Sequence, residues 1–468
     1  MGRQPQTPSW APPGVRRRFT GAIAAVVLLA SCAAPGAEES ATPGASTDGA
    51  PSAAPSEVAT TPDCGTEDVT LRAYFETGFD IPFDLAEEFE AQFANVTIDI
   101  SQDQFSNLMT ATPRLLSGDN PPDLIRLPTM VSLVNDGLLK NLDEYAEAFG
   151  WNEWPVPQLD QNRVADDGTR GSGALYAMGL NYSLTGVFYN EELAAEIGMT
   201  ALPQTVAEFD EVLATAKEAG ILPIMVWNAS QSGGGLAFPL QNLMASYGPV
   251  DPINDWIFQK EGATIDTESN LAAAEHLAGW IEAGYFPEDA NAIQYTDANA
   301  RFRGGEGLFI FNGDWENASY NTEMGENAGF FLFPPLEAGG DPAAMSAPLT
   351  FGIAADAPNA DCAAFFFNWV ATDETARQIL VDVGGSNPGG PSDLDIPAAA
   401  EGTVTNDTLA AGAVVGKAGT AMDFIANATG SIFAQGWTPE LQKMIGGQQD
   451  AAGLLEVVQA EYERELGR

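Results

Sequence analysis

The side chains that most often carry out chemistry are unevenly represented in this chain. It has one histidine, His276, against 65 acidic residues, three cysteines and nine tryptophans. His276 lies in a helical pattern at residues 271–277, where we expect a partly exposed helix residue. A lone histidine in that setting excludes a Ser-His-Asp triad and any multi-histidine zinc or manganese site. We therefore predict no catalytic residue, no metal and no cofactor.

Phosphate-binding loops and catalytic carboxylate pairs are the next sites to consider. The chain has no GxxxxGK[ST] motif, and Gly233-Gly234-Gly235 lacks the lysine and is typical of a flexible turn. The many acids offer numerous carboxylate pairs, but no motif singles one out. A secreted glycoside hydrolase therefore stays open as an alternative to a protein that binds without catalysis.

One cysteine near the start has a distinctive context. Arg3 and the arginines at 16–18 precede a short apolar core at 22–30, followed by Ser31 and Cys32, which is the order of a signal peptide. The core is shorter than the roughly 20 apolar residues of a membrane span. Leu29-Ala30-Ser31-Cys32 resembles the bacterial lipoprotein box, so we predict a signal peptide over 1–31 and a lipid on Cys32. The alternative is an ordinary signal peptide with a cysteine near its cleavage site.

The residues after Cys32 are poor in side chains that a core could bury. Residues 33–63 are mostly Ala, Pro, Gly, Ser, Thr and Glu, which predicts a disordered tether over 32–65. No later segment is long and apolar enough to cross a bilayer. We expect a body held outside the cytoplasm, at the outer face of the cell membrane, through the lipid alone.

Cys64 and Cys362 remain to be explained. Outside the cell two such cysteines often pair. Pairing would require the fold to bring the start of the first strand next to the start of a late helix, and two unpaired thiols are the alternative.

The composition is that of a large acidic globular protein. Roughly 400 residues follow the tether, enough for one large or two ordinary domains. The formal net charge is −46. Such a surface repels nucleic acid and anionic lipid head groups, so neither is expected as a partner.

Strands and helices alternate through the first part of the chain. Residues 69–75 and 96–100 alternate apolar and polar side chains, as half-buried strands do, and between them Leu85, Phe89 and Phe93 mark one helical face. A short apolar strand follows at 122–127. Strand-helix-strand-helix-strand predicts an α/β layer with a mostly parallel sheet.

A second set of elements begins near residue 175. Residues 175–190 indicate extended chain, and Thr205 with Glu208 forms a capping box for a helix that Gly220 ends. Strands are predicted at 221–226 and 307–311, and the last forty residues are helical, with Leu454, Leu455, Val458 and Tyr462 on one stripe.

These landmarks together resemble a family, the extracellular solute-binding proteins of ABC importers, in particular the sugar-binding group that includes maltose-binding protein. The matching segments occur in family order over about 68–465; they are 122–125, 135–139, 142–145, 182–183, 188–193, 302–315, 334–335, 352–354 and 363–370. Residues 302–315, Phe-Arg-Gly-Gly-Glu-Gly-Leu-Phe-Ile-Phe-Asn-Gly-Asp-Trp, are the most specific.

The resemblance implies an α/β fold of two lobes, the class II type of periplasmic binding protein, with the ligand in the cleft between lobes joined by hinge crossovers. The N-terminal lobe would comprise 66–178 plus 350–386, and the C-terminal lobe 179–349 plus 387–468. Gly179 and residues 384–388 would be crossover points, where small residues tolerate a change in backbone angles. This mapping places both Cys64 and Cys362 on the N-terminal lobe, which favours the disulfide.

A neutral sugar requires an aromatic side chain to stack on and polar side chains for its hydroxyl groups. Trp315 follows a buried strand where the family places a cleft aromatic, although a core tryptophan is the alternative. Asp314 beside it is either a hydroxyl acceptor or a turn residue. Trp437 is equally a second aromatic of the site or a packed side chain.

The polar ligands are expected at strand ends and crossovers, where such sheets bind their ligands. They are Glu76 and Thr77 after the first strand, Arg126 and Thr129 after the third, Asn181 and Tyr182 at the first crossover, and Asn228 and Gln231 after a strand of the C-terminal lobe. The maltose-binding pattern has a tryptophan in the loop where this chain has Leu127-Pro128, which argues against maltose-like specificity.

The resemblance implies a monomer that captures a small molecule, a sugar or oligosaccharide, by closing its lobes and delivers it to the permease subunits of an ABC importer. The same fold serving a peptide, polyamine or phosphate ester is the alternative. Iron-binding relatives use adjacent tyrosines, and this chain has no Tyr-Tyr pair.

Overall fold

The computed structural model describes residues 61–77, 81–127, 129–154, 156–229 and 234–468. The predicted signal peptide, Cys32 with its predicted lipid, and most of the predicted tether lie outside these residues, as does Gln231. The strands are β1 (Val69–Glu76), β2 (Val96–Asp103), β3 (Leu124–Arg126), β4 (Arg163–Val164), β5 (Ala174–Leu175), β6 (Ala177–Asn190), β7 (Ile224–Met225), β8 (Phe309–Gly313), β9 (Ala328–Phe331), β10 (Ala344–Gly352) and β11 (Ala421–Met422).

Helices cover the faces of the sheet and make up most of the C-terminal part. They are α1 (Ile81–Gln92), α2 (Phe105–Leu116), α3 (Val131–Asn135), α4 (Asp143–Phe149), α5 (Val156–Asp160), α6 (Glu191–Glu196), α7 (Val206–Glu218), α8 (Ala237–Tyr247), α9 (Asp251–Ile257), α10 (Glu268–Glu282), α11 (Tyr295–Arg303), α12 (Asn317–Glu323), α13 (Ala360–Thr372), α14 (Glu374–Asp382), α15 (Val404–Ala418), α16 (Thr438–Ile445) and α17 (Ala451–Leu466).

The first part of the chain forms the predicted parallel layer. Strand β1 pairs in parallel with β2 on one side and β3 on the other. Its alternation buries Leu71, Ala73 and Phe75 on one face. Phe89 of α1 packs on this layer and meets the rings of Phe366 and Trp369 of α13 edge-on, at 5.1 and 5.0 Å between ring centroids. The strand-helix-strand prediction is confirmed here.

Two long strands carry the chain between the two halves of the sheet. The strand order is β2-β1-β3-β10-β6-β8-β7, with β11 beside β10 and β9 beside β6. The first half of β6 pairs antiparallel with β10, and its second half pairs with β8 and β9. A third connection runs alongside, where Tyr182 forms a bridge with Asn387.

Buried apolar side chains collect separately at the two ends of this sheet. One large cluster takes its members from residues 64–180 and 351–380, and another takes its members from 187–462. Since each cluster has its own helices, the fold is a two-lobed α/β structure, as the predicted fold class requires.

The capping box at residues 205–208 forms with one difference. The Thr205 hydroxyl accepts from the Glu208 N–H at 3.2 Å, but the Glu208 carboxylate accepts from the N–H of Gln204, at 2.7 Å, one residue before the cap. Both bonds satisfy N–H groups that the helix itself leaves without partners.

Two features concern the chain ends. Cys64 and Cys362 are joined by a disulfide, which ties the start of the described chain to α13. Leu454, Leu455, Val458 and Tyr462 of α17 are all buried, on the stripe that the sequence predicts. Within the described part of the chain, none of the helices combines the length and apolar character of a membrane span.

Candidate functional site

The carboxyl ends of β1 and β3 bring Glu76 and Arg126 together. Glu76 Oε2 lies 3.4 Å from Arg126 Nε, and both side chains are close to nine-tenths buried. Burial raises the pKa of Glu76 and lowers the pKa of Arg126, and the attraction between the two charges opposes each shift. Arg126 also donates to the carbonyls of Leu127 and Thr350, at 2.7 and 3.1 Å. The pair is therefore held rigidly at the edge of the sheet.

A second arginine reaches across from the hairpin β4–β5. Arg170 lies in the connecting loop, and its Nη2 is 2.8 Å from the Asp423 carboxylate. Its backbone N–H donates to the carbonyl of Phe258 at 3.0 Å, and its guanidinium lies 5.1 Å from the centre of that ring. Gly171 has a φ of +85°, and a Cβ there would come within 3.1 Å of Phe258, so the loop fits closely against the second apolar cluster.

Arg126 and the Arg170–Asp423 pair border one pocket, and Glu76 lies in a small neighbouring cavity. The pocket has a volume of about 380 Å³, part of it open to solvent, and is lined by Arg126, Leu127, Thr129, Met130, Gln161, Arg170, Pro348, Thr350, Asp423 and Asn427. A wider groove of about 1000 Å³ adjoins it and shares Thr129, Met130, Arg170 and Asn427 with it. Residues from the β1–β3 half thus face residues that follow β11, which makes this a cleft between the lobes.

A run of half-buried aromatic rings begins beside Asp423. Phe424, the next residue, lies 4.9 Å from Phe238 and 5.8 Å from Phe433 between ring centroids. Phe238 in turn lies 6.2 Å from Trp315. All four rings, Trp315, Phe238, Phe424 and Phe433, keep part of their surface in solvent, and we call them the aromatic strip.

Trp315 occupies the position that the sequence predicts for an aromatic platform. It lies in the short 3-10 helix Asp314–Glu316 directly after β8, and it is half-buried. A Cβ on Gly313 would come 2.1 Å from its ring, so the indole lies directly over that glycine. Its Nε1–H donates to the phenol oxygen of Tyr295 at 2.7 Å.

The structure separates Asp314 from its neighbour Trp315. Asp314 is 2 % exposed and faces the backbone N–H of Leu184 in β6 and the hydroxyl of Ser386, where two chain connections meet. Burial raises the pKa of its carboxyl well above the ordinary value. A side chain enclosed in this way does not reach the cleft. Because Asp314 begins the 3-10 turn Asp314–Glu316 directly after Gly313, the turn alternative applies.

Two further predicted residues lie on β6. Asn181 is buried and lies beside Glu76 in a small cavity, and within the described part of the chain its Oδ1 has no hydrogen-bond partner. Tyr182 is half-buried, and its hydroxyl donates to the carbonyl of Gln158 at 3.2 Å. Both are part of the crossover, and Asn181 is the closer of the two to the Glu76–Arg126 pair.

Three predicted residues lie elsewhere. Trp437 is fully buried, and its indole N–H donates to the carbonyl of Ile425, so the packing alternative applies. Asn228 is also fully buried and bonds to Asn291, away from the cleft residues above. Thr77 is exposed at the end of β1, whereas Thr129 does line the cleft.

Sequence reasoning missed Gln161, Arg170, Asp423 and Asn427 as cleft residues. Arg170 had a detectable signal, because it is one of only 19 basic residues and stands in the glycine-rich loop 168–173. Asp423 is a single acid in the apolar run 421–426, a context that indicates a buried charge with a partner. Among the described residues, no three side chains of the metal-binding types are grouped closely enough to hold an ion.

Comparisons with known proteins identify a family and a fold. Residues 73–377 match the family described as bacterial extracellular solute-binding protein. A comparison with curated proteins gives no match.

Solved structures match over most of the chain. A chitin oligosaccharide binding protein matches 86 % of this chain and 100 % of its own, with 18 % identity and a TM-score of 0.70. A maltose-bound protein of T. maritima matches 85 % and 100 %, with 17 % identity and a TM-score of 0.65. The maltose/maltodextrin-binding domain of Bdellovibrio bacteriovorus, bound to maltotriose, matches 86 % and 100 %, with 15 % identity and a TM-score of 0.64.

Proposed function

The chain belongs to the family of bacterial extracellular solute-binding proteins, and from this we propose that it captures a neutral sugar or oligosaccharide for an ABC importer. The ligand would enter the cleft between the lobes, the lobes would close on it, and the closed monomer would deliver it to the permease subunits. The lobes would be 66–178 plus 350–386 and 179–349 plus 387–468, with β6, β10 and the Tyr182–Asn387 bridge as the connections that bend.

The charge arrangement in the cleft carries the proposal. The chain as a whole has a formal charge of −46, yet each of the three charged side chains that line this pocket has a partner of opposite charge: Arg126 pairs with Glu76, and Arg170 pairs with Asp423. A polyamine would be favoured by carboxylates without counter-ions, and a phosphate ester by cations without them. A pocket whose charges are matched in this way favours a neutral ligand that exchanges hydrogen bonds.

The aromatic strip supplies the second half of the argument. Sugar rings present apolar CH faces, and Trp315, Phe238, Phe424 and Phe433 offer half-exposed rings for such faces to stack on. The similar structures described above include proteins named for chitin oligosaccharide and maltose, which supports a carbohydrate as the ligand class. A peptide would need extended hydrogen bonding to a strand edge or a set of side-chain pockets instead.

We also propose that the protein is held at the outer face of the cell membrane by a lipid on Cys32, with residues 32–65 as a tether. The support is the sequence at 29–32 and the family's extracellular location. Metabolic labelling with a fatty-acid analogue tests this proposal. Labelling of the native chain and its loss in Cys32→Ser is the expected result, and a secreted, unlabelled native chain would contradict it.

Thermal unfolding with a ligand panel tests the sugar proposal. Chitotriose, maltotriose, xylotriose and raffinose would be compared with spermidine, a tripeptide and glucose 6-phosphate. A ligand at 100 times its Kd adds about 2.7 kcal/mol to the free energy of unfolding, enough to raise the melting temperature visibly. At least one neutral sugar should do so. A shift with spermidine, the peptide or the phosphate ester alone would refute a sugar ligand, and turnover of an oligosaccharide would refute binding without catalysis.

A matched pair of variants ties the ligand to the proposed site. Trp315→Ala should weaken sugar binding about ten-fold or more, because it removes a stacking ring. Leu336→Ala removes an exposed apolar side chain on the same lobe and should leave the affinity unchanged. If the two variants bind the sugar with equal affinity, the sugar does not bind at the aromatic strip.

A further inference from the structure

We propose that Tyr295 is a positioning residue that fixes the plane of the Trp315 indole, so that a sugar meets the face of the ring and not its N–H group. The inference rests on the proposed function, and it names a residue that the sequence did not single out. Tyr295 is the first residue of α11, 20 positions before Trp315, and the fold brings their side chains together.

The hydrogen bonds around Tyr295 have a fixed direction. An indole N–H can only donate, so the phenol oxygen of Tyr295 accepts from Trp315 Nε1 at 2.7 Å. Tyr295 then donates its phenol proton to Glu316 Oε1, at 2.5 Å. Because an ionised carboxylate can only accept, both bonds keep this direction, from Trp315 to Tyr295 and from Tyr295 to Glu316.

Further contacts hold the acceptor end of the chain in place. Glu316 Oε2 lies 3.5 Å from Arg303 Nη1, and Arg303 Nε lies 3.0 Å from Glu323. Arg303 and Glu316 are mostly buried, with side-chain exposures of 18 % and 13 %. Burial also raises the pKa of Tyr295 well above its ordinary value, so the phenol keeps the proton that it donates.

Packing removes the remaining freedom of both rings. Tyr295 meets Trp227 edge-on, at 4.8 Å between ring centroids and 89° between ring planes, and Trp227 is buried. On the other side the Trp315 indole rests on Gly313, which leaves no space for a Cβ. The indole is thereby held in one orientation before any ligand arrives, so its rotational freedom is not lost on binding.

The consequence for recognition is specific. Because the Nε1–H already has an acceptor, Trp315 offers a ligand its apolar face and no directed hydrogen bond. Discrimination among hydroxyl patterns would then fall to the polar side chains of the cleft, while Tyr295 sets the height and tilt of the surface on which a sugar ring rests.

A double-mutant cycle of Tyr295→Phe and Trp315→Phe tests the inference. Tyr295→Phe keeps the ring against Trp227 and removes only the oxygen; loss of one hydrogen bond predicts a three- to ten-fold weaker affinity, roughly, for the panel sugar that binds the native protein best. In the Trp315→Phe background no indole N–H remains, so Tyr295→Phe should then change the affinity by less than about two-fold. Equal losses in both backgrounds would refute the positioning role.

Tyr189→Phe serves as the matched control. The Tyr189 hydroxyl donates to the Glu191 carboxylate at 2.6 Å in the same proposed lobe, so its loss should lower stability without changing affinity. If Tyr295→Phe does not fold, Glu316→Gln weakens the next link of the chain without removing a ring, and it should show a smaller loss of affinity that also vanishes in the Trp315→Phe background.

A readout without ligand separates this inference from the proposed function. In ¹⁵N NMR spectra, the Trp315 indole N–H, assigned by its absence in Trp315→Phe, should exchange with solvent at least about five-fold faster in Tyr295→Phe, because a hydrogen-bonded N–H is protected. If exchange becomes faster but neither the native protein nor any variant binds a sugar, the contact between Tyr295 and Trp315 is supported and the sugar proposal is refuted. Unchanged exchange would refute the positioning contact, whatever binds.

Discussion

The ion pair between Arg170 and Asp423 offers the sharpest quantitative test of the cleft. Its partners are 253 residues apart, 2.8 Å separates their charged atoms, and their side chains are 10 % and 2 % exposed. Removing one partner of a buried pair leaves the other charge uncompensated, which costs about 3–5 kcal/mol. Arg170→Met and Asp423→Asn should therefore each lower the free energy of unfolding by about 3 kcal/mol or more.

The double variant is the decisive member of the series. With both charges absent there is no uncompensated charge, so its loss should be smaller than the sum of the two single losses by at least about 2 kcal/mol. Urea unfolding of all four proteins without ligand measures this coupling energy. Small-angle scattering of the single variants shows in addition whether the isolated charge reaches water by opening the cleft.

The same hairpin provides a control pair. Arg163 and Asp143 are 3.4 Å apart, but Asp143 is about half exposed, with a side-chain exposure of 47 %. Solvent screens such a pair, so the corresponding cycle with Arg163→Gln and Asp143→Asn should give a coupling energy below about 1 kcal/mol. Additive losses at Arg170 and Asp423, or a coupling no larger than in the control pair, would refute the contact between the lobes.

Three other perturbations have definite expected results. Cys64→Ser/Cys362→Ser removes a disulfide between residues 298 positions apart, so the free energy of unfolding measured in urea should fall by about 2–5 kcal/mol. An unchanged value would mean that the thiols are not joined in solution. Asp314→Asn removes a carboxyl whose pKa is raised in the folded protein. Because the unfolded chain loses this proton at lower pH, the free energy of unfolding of the native protein should fall as pH rises from the ordinary pKa of 3.8 toward the raised one. Urea unfolding from pH 3.5 to 7 should show this fall in the native protein and not in the variant. Because the Trp437 ring is fully buried, Trp437→Leu should destabilise the C-terminal lobe by roughly a few kcal/mol and leave the sugar affinity measured by calorimetry unchanged. A loss of affinity without a loss of stability would mean that Trp437 belongs to the binding site.

The local elements could be predicted from the sequence because periodicity is a local property. Alternation at 69–75 fixed which side chains of β1 face the core, and the four-residue spacing from Leu85 to Phe89 fixed the buried face of α1. The order of landmarks predicted the family and the two-lobed fold class, and both are confirmed. Trp315 stays a predicted site residue, chosen because an aromatic directly follows a strand that is fully buried.

The site itself was predicted only in part. Glu76, Arg126 and Thr129 follow from the rule that ligands bind at the carboxyl ends of strands, since each lies at or just after such an end. Arg170 and Asp423 follow no such rule. One is in a hairpin loop and the other comes after a two-residue strand, so nothing local marks them as partners.

By itself, the sequence predicted the strands and helices with a clear apolar period, the buried face of each of these, the fold class and the family, because such patterns depend on neighbours along the chain. Tertiary structure decided which polar side chains meet: it enclosed Asp314 between crossovers, buried Trp437, and set Tyr295 against Trp315. The physical reason is that the burial and hydrogen-bond partners of a side chain depend on segments beyond its local neighbours, 20 positions apart for Tyr295 and Trp315 and 253 for Arg170 and Asp423. Only the packed lobes fix which of those segments come within about 3 Å.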